Sequence, residues 1–187
     1  MELYKRVIEI VDANLIHCLI PIILILMLVE VIFKKRFETK KALNLIRWTI
    51  IIYTIVTFTF YLIEIAINPD EHAFINRATG PYWWAYWIML LSALFLPLTL
   101  FIEKLALKFW YVLLVALGMK SGMYFERFVI ITTSFHRDYQ PENGNAGLIE
   151  TMSYGIGIFF IQGIIIALLT LGIFEIIKRK KTGYNNT

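Results

Sequence analysis

The chain has 187 residues, of which 59% are apolar and 17% charged, with a formal net charge of +4 and a mean hydropathy of +0.68. A water-soluble fold of this length has no interior large enough to hide so much hydrocarbon, so the composition excludes an ordinary soluble domain and points to lipid. A single cysteine, Cys18, excludes a disulfide framework and a thiolate metal cluster. The basic residues gather at the ends of apolar runs rather than over a polar face, which sets nucleic acid aside and makes the lipid bilayer the first partner.

Residues 1–12 mix Leu3, Val7, Ile8, Ile10 and Val11 with charged side chains and predict a short amphipathic helix suited to a membrane surface. Five apolar runs follow, Ala13 to Phe33, Leu45 to Ile67, Trp83 to Ile102, Phe109 to Thr133 and Met152 to Ile177. Each has about the 20 residues that cross roughly 30 Å of hydrocarbon. The runs are continuous rather than alternating, which predicts helices and not barrel strands. The first is too long for a signal-peptide core and lacks a small-residue cleavage site, so it is expected to be retained. The fold class is therefore all-α, an integral membrane bundle of five transmembrane helices over 13–177, followed by a basic, disordered tail over 178–187. Pro21 and Pro97 predict bends in the first and third spans, and Gly155, Gly157, Gly163 and Gly172 suit close helix packing in the fifth.

Orientation follows from the connections. Lys34, Lys35, Arg36, Lys40, Lys41 and Arg47 follow the first span, and Lys178, Arg179, Lys180 and Lys181 follow the last. Both segments are expected on the cytoplasmic side. The turn with Lys104 and Lys108 falls on that side too, and the acid-richer stretches Asp70 to Tyr82 and Ser134 to Glu150 face outward. An odd number of spans then puts the amino terminus outside.

Chemistry at membrane depth rests on polar residues, because a charge there is costly and persists only with a partner or a wet cavity. Glu64 lies near the outer end of the second span, and Lys120, Glu126 and Arg127 lie on the fourth. Lys120 and Arg127 share a helix face, while Glu126 points roughly 100° from Arg127. These residues, with His136, Arg137 and Asp138 just beyond, form either buried ion pairs that brace helices or a proton path. Of the three histidines, His17, His72 and His136, only His17 is well inside a span, so no facing pair is available to ligate a transmembrane haem, and no metal site is expected. His17 reads most simply as a hydrogen-bonded structural residue, and Glu30 as a side chain reaching toward water from the inner end of its span. Tyr82, Trp83, Trp84, Tyr86 and Trp87 open the third span. Five rings in six positions exceed an ordinary interfacial belt and suit either a stacking platform or a docking face for a partner.

Two stretches, NRATGPYWWAYWIM from Asn76 to Met89 and GMYFERFVIITTSFHRD from Gly122 to Asp138, resemble the carboxyl-terminal half of NrfD/polysulfide-reductase-type membrane subunits. The likeness is greatest to the quinol-oxidising subunits of alternative complex III. The resemblance implies a multi-pass subunit of a bacterial cytoplasmic-membrane respiratory complex. Its partners would be other membrane subunits and an iron-sulfur or cytochrome subunit on the outer face, with a quinone in the complex and no cofactor bound by this chain. In that family the quinone pocket lies largely in the other half of the subunit, which gives this chain a supporting role in assembly and in proton or quinone traffic. Lys120, where the family is neutral, and Gln140, where it tends to be apolar, depart from the pattern. The alternative class is a small transporter or channel-like protein without a redox partner, its conduit lined by the same charges.

Overall fold

A computed structural model of the chain describes residues 2–34, 36–67, 78–81, 83–122, 124 and 146–184. All regular structure among them is helical: α1 (Glu2–Val11), a π-helical turn (Asp12–Ile16), α2 (Leu19–Phe33), α3 (Thr39–Ile67), α4 (Trp83–Leu98), a 3-10 turn (Thr99–Phe101), α5 (Glu103–Ala106), α6 (Phe109–Met119) and α7 (Ala146–Tyr184). Contacts divide the chain into two compact units, Met1–Ile46 with Gln140–Thr187, and Arg47–Tyr139, the division falling inside α3.

In the first unit α2 packs against α7, and the two helices run parallel. His17 stacks on Phe159 with ring centroids 5.2 Å apart, Cys18 Sγ donates to Gln162 Oε1 at 3.5 Å, and Pro21 sits against Gly163. Further along, Lys178 Nζ donates to the Arg36 carbonyl at 3.5 Å. A Cβ at Gly163 would lie 2.7 Å from Pro21 Cβ and Cγ, so this crossing needs glycine. Gly157 and Gly172 have open space where a Cβ would be. Of the glycines expected to serve packing in this helix, Gly163 does so, Gly157 and Gly172 do not, and Gly155 carries no described surroundings.

The break in α-helical geometry near Pro21 lies upstream of it. His17 N–H bonds to the Asp12 carbonyl at 2.9 Å, a five-residue step that opens the ladder, and α2 then starts afresh at Leu19. Pro21 falls in its first turn, where an N–H has no intrahelical partner to lose. At its other end α2 stops on Lys34, whose φ of 39° and ψ of 68° place a lysine in the left-handed region usually taken by glycine. α7 continues through Tyr184, beyond residue 177 where the sequence reading ended the span and began a disordered tail. Cations near a helix C-terminus favour the helix through its dipole, and Arg179 Nε lies 3.8 Å from Glu175 Oε1 one turn back.

In the second unit α4 and α6 form an antiparallel pair. Met89 lies against Gly122 and Leu96 against Gly118, where a Cβ would come 2.5 Å from Leu96 Cδ1. Ser92 Oγ is 3.0 Å from Ser121 Oγ, and Thr99 Oγ1 is 2.6 Å from Tyr111 OH. Pro97 is the penultimate residue of α4. Its ring ends the helix rather than bending it, and the 3-10 turn follows at once.

Among the described residues three helical stretches are long and apolar enough to cross a membrane: Leu3–Phe33 with 31 residues, Thr39–Ile67 with 29 and Gly157–Lys180 with 24. At about 1.5 Å per residue each exceeds the roughly 30 Å of a hydrocarbon core. Trp83–Thr99 and Phe109–Met119 are apolar but shorter. The fourth run predicted from sequence extends to Thr133, and its residues from 125 onward lie outside the described ones. The outer faces of the long helices are hydrocarbon, with Ile52, Leu62, Ile161, Leu168 and Leu169 each more than half exposed. Water would penalise such surfaces heavily, and lipid would not.

Candidate functional site

The aromatic run that opens α4 separates into two pairs. Trp83 and Trp84 are about half exposed. Tyr86 and Trp87 are held by hydrogen bonds: the Tyr86 and Tyr61 hydroxyls are 2.7 Å apart, and the Trp87 indole N–H donates to the Ala78 carbonyl at 3.2 Å. The Tyr86 and Trp87 rings meet edge to face, 6.0 Å between centroids. Helical spacing alone does not make this division, because Trp83 and Trp87, four residues apart, share a face; what separates the pairs is the hydrogen bonds to Tyr61 and to the Ala78 carbonyl. Tyr82 lies outside the described residues.

Glu64 lies on α3 one turn beyond Tyr61 and is half-buried. Lys120 closes α6, its N–H bonded to the Leu117 carbonyl at 3.2 Å, and is half-buried as well. Next to it Ser121 meets Ser92, whose hydroxyl also reaches the Met89 carbonyl at 3.0 Å. The second unit therefore holds two separate polar contacts, Tyr61 with Tyr86 and Ser92 with Ser121, with Glu64 one turn from the first and Lys120 next in sequence to the second. Glu126, Arg127, His136, Arg137 and Asp138 all lie outside the described residues.

Two polar centres went unmarked in the sequence reading. Arg47, counted there among the loop bases, has a side chain only 6% exposed. Its Nε–H donates to the Leu100 carbonyl at 2.7 Å and an Nη2 N–H to the Phe101 carbonyl at 3.0 Å. Nη1 lies 3.9 Å from Glu103 Oε1, and the guanidinium stands 5.4 Å from the centroid of the Trp48 ring. The planar fork thus takes carbonyls left open where α4 and its 3-10 turn end, where the helix dipole also favours a cation. The signal was present: Arg47 lies inside the apolar run from Leu45 to Ile67 rather than before it.

The second centre joins the ends of α2, α3 and α7 in the first unit. Thr39, fully buried, donates its hydroxyl to Glu30 Oε2. Glu38 Oε2 is 3.2 Å from Lys41 Nζ and Glu38 Oε1 is 3.6 Å from Lys178 Nζ. The two basic segments that flank the first and last spans in sequence therefore meet at one end of this unit, as a direct consequence of the parallel α2–α7 pairing. At the opposite end His17 Nδ1 lies 2.7 Å from the Asp12 carbonyl. A carbonyl only accepts, so Nδ1 carries the proton, and the ring is a structural staple across the π-helical turn.

Among the described residues no three His, Cys, Asp or Glu side chains are grouped closely enough to hold a metal ion. No protein-family model matches the chain, and no curated protein matches it. What sequence and geometry establish together is that the regular structure among the described residues is helical and that its long apolar helices suit a membrane.

Proposed function

We propose that this chain is a multi-pass membrane subunit of a respiratory quinol:acceptor oxidoreductase in a bacterial cytoplasmic membrane, related to the carboxyl-terminal half of NrfD-type subunits. In this reading it has five spans, with the amino terminus outside and the carboxyl terminus cytoplasmic. α4 and α6 belong to the third and fourth spans. Glu64 and Lys120, with Glu126, Arg127, His136, Arg137 and Asp138, form a polar brace or proton path toward the outer face.

The observation that carries the proposal is the behaviour of Trp83, Trp84, Tyr86 and Trp87 at the start of α4. Tyr86 and Trp87 spend their polar atoms inside the second unit, on Tyr61 and on the Ala78 carbonyl. Trp83 and Trp84 remain on its surface. Two exposed indoles on a braced helix end suit the docking of a partner, since such rings supply large contact area at low entropic cost. In the Tyr61–Tyr86 pair one hydroxyl donates to the other, which commits one of the two O–H groups that could serve a quinone carbonyl. The chain's part in this reading is to hold its neighbours and these polar residues in place, and the quinone belongs to the complex.

Mild-detergent purification from the native membrane tests this. The proposal expects iron-sulfur or cytochrome subunits to come with the chain, and Trp83→Ala together with Trp84→Ala to release them. A cofactor-free homo-oligomer that conducts ions in liposomes would instead establish the transporter reading.

A further inference from the structure

In the first unit, near the basic ends of α2 and α7, lies a cavity of about 500 Å³ whose walls include Phe33, Phe37, Leu168, Gly172, Glu175 and Arg179. Its lining is almost entirely hydrocarbon and aromatic ring. Phe33 and Phe37 pack edge to face at 5.2 Å and form one side. Gly172 leaves space where any other residue would project: a Cβ there meets nothing within 4 Å. This contrasts with Gly163 about two and a half turns earlier on the same helix, where the missing Cβ is what lets Pro21 approach.

The rim has the opposite character. Arg179, in the wall, is 81% exposed, and its sequence neighbours Lys178, 42% exposed, and Lys180, with Lys34 and Arg36 next to Phe33 and Phe37, add exposed positive charge. Nearby acids are fewer. Glu30 accepts from Thr39, Glu38 lies between Lys41 and Lys178, and Glu175 lies beside Arg179. An apolar slot under a cationic rim at a helix end matches a lipid whose chain enters the slot and whose phosphate stays at the surface. Glu175 on the wall repels an anion from the interior, which holds the phosphate at the level of Arg179.

We propose that this cavity is a specific site for an anionic phospholipid, with one acyl chain lying over Gly172 between Phe33 and Leu168 and the phosphate against Arg179. The site is independent of any redox role, and it gives Gly172 a reason that helix packing does not. Occupied, it fills a void between two parallel helices and neutralises the basic end they share.

Native mass spectrometry of the full chain, delipidated in mild detergent and offered equal amounts of dioleoyl phosphatidylglycerol, phosphatidylethanolamine and phosphatidylcholine, tests the site. The wild-type chain should retain one phosphatidylglycerol with a preference of about five-fold over either other lipid, the scale of one basic side chain near a phosphate. Gly172→Leu puts hydrocarbon into space that is open and adds a better helix former, so it should keep the helical circular dichroism of the wild type and lose about ten-fold of the bound lipid. Arg179→Gln should keep a bound lipid but lose the preference for phosphatidylglycerol, which decides the matter independently if Gly172→Leu fails to fold. Undiminished binding by folded Gly172→Leu, equal retention of the three lipids by the wild type, or no retained lipid at all would each overturn the proposal.

Discussion

Arg47 and Lys178 are both basic residues near a helix end, and they do different work. Arg47 is buried and spends its donors on the Leu100 and Phe101 carbonyls. Lys178 is half exposed and shares Glu38 with Lys41 at distances above 3 Å. The first replaces water that the buried carbonyls no longer have, so its removal leaves acceptors unsatisfied. The second only exchanges one solvated arrangement for another. Depth, not charge, sets what each contributes.

The largest expected effect follows from that contrast. Arg47→Met should destabilise the detergent-solubilised protein by about 3 kcal/mol, since hydrogen bonds to a charged donor and the desolvation of their acceptors are lost together. Arg47→Lys should recover less than half of it, because an ammonium cannot reproduce the planar fork. A loss no greater than that of Lys178→Gln would erase the distinction. Next comes the contrast along α7. Gly163→Ala should cost about 1–3 kcal/mol by forcing Pro21 aside, whereas Gly172→Ala should be neutral or stabilise by up to about 1 kcal/mol. Equal effects at the two positions would mean that α2 and α7 do not cross at Pro21. Tyr86→Phe removes one interhelical hydroxyl pair and should cost about 0.6 kcal/mol. Lys178→Gln should cost about 0.5 kcal/mol or less, and that small loss should vanish in high salt. Thermal or denaturant unfolding in one detergent orders all four.

The elements were legible because helices that face lipid must be apolar all round, and uninterrupted hydrocarbon is easy to see. Ile22 to Val29 in α2 and Ile164 to Leu169 in α7 needed no partner to be recognised. The two basic segments, expected from sequence on one side, meet at one end of the first unit, where Lys178 reaches Arg36 and Glu38. Pairing was not legible. Nothing in an apolar run says which neighbour it faces, so the parallel α2–α7 contact and the Gly163–Pro21 crossing had no signature beyond a small residue. Local backbone was also hidden: no residue in Asp12 to Ile16 announces a π-helical turn, and a lysine does not announce the left-handed cap at Lys34. In the candidate site the aromatic run was visible as a cluster, but its division into an exposed and a bonded pair required Tyr61, an unremarked side chain from another helix. Arg47 escaped for a different reason, since a base close to other loop bases looks solvated until its helix is seen to begin at Thr39.

The account depends most on the parallel pairing of α2 and α7 within a membrane, which requires the segments after Phe33 and after Glu175 to share one side of the bilayer. Labelling with a membrane-impermeant maleimide tests this directly, using Lys40→Cys and Lys180→Cys one at a time in a Cys18→Ala background, with Thr79→Cys as a marker of the other side. Protection of both lysine positions in intact cells, labelling of both after permeabilisation, and labelling of Thr79→Cys in intact cells is the expected result. Labelling of one lysine position while the other stays protected would contradict it.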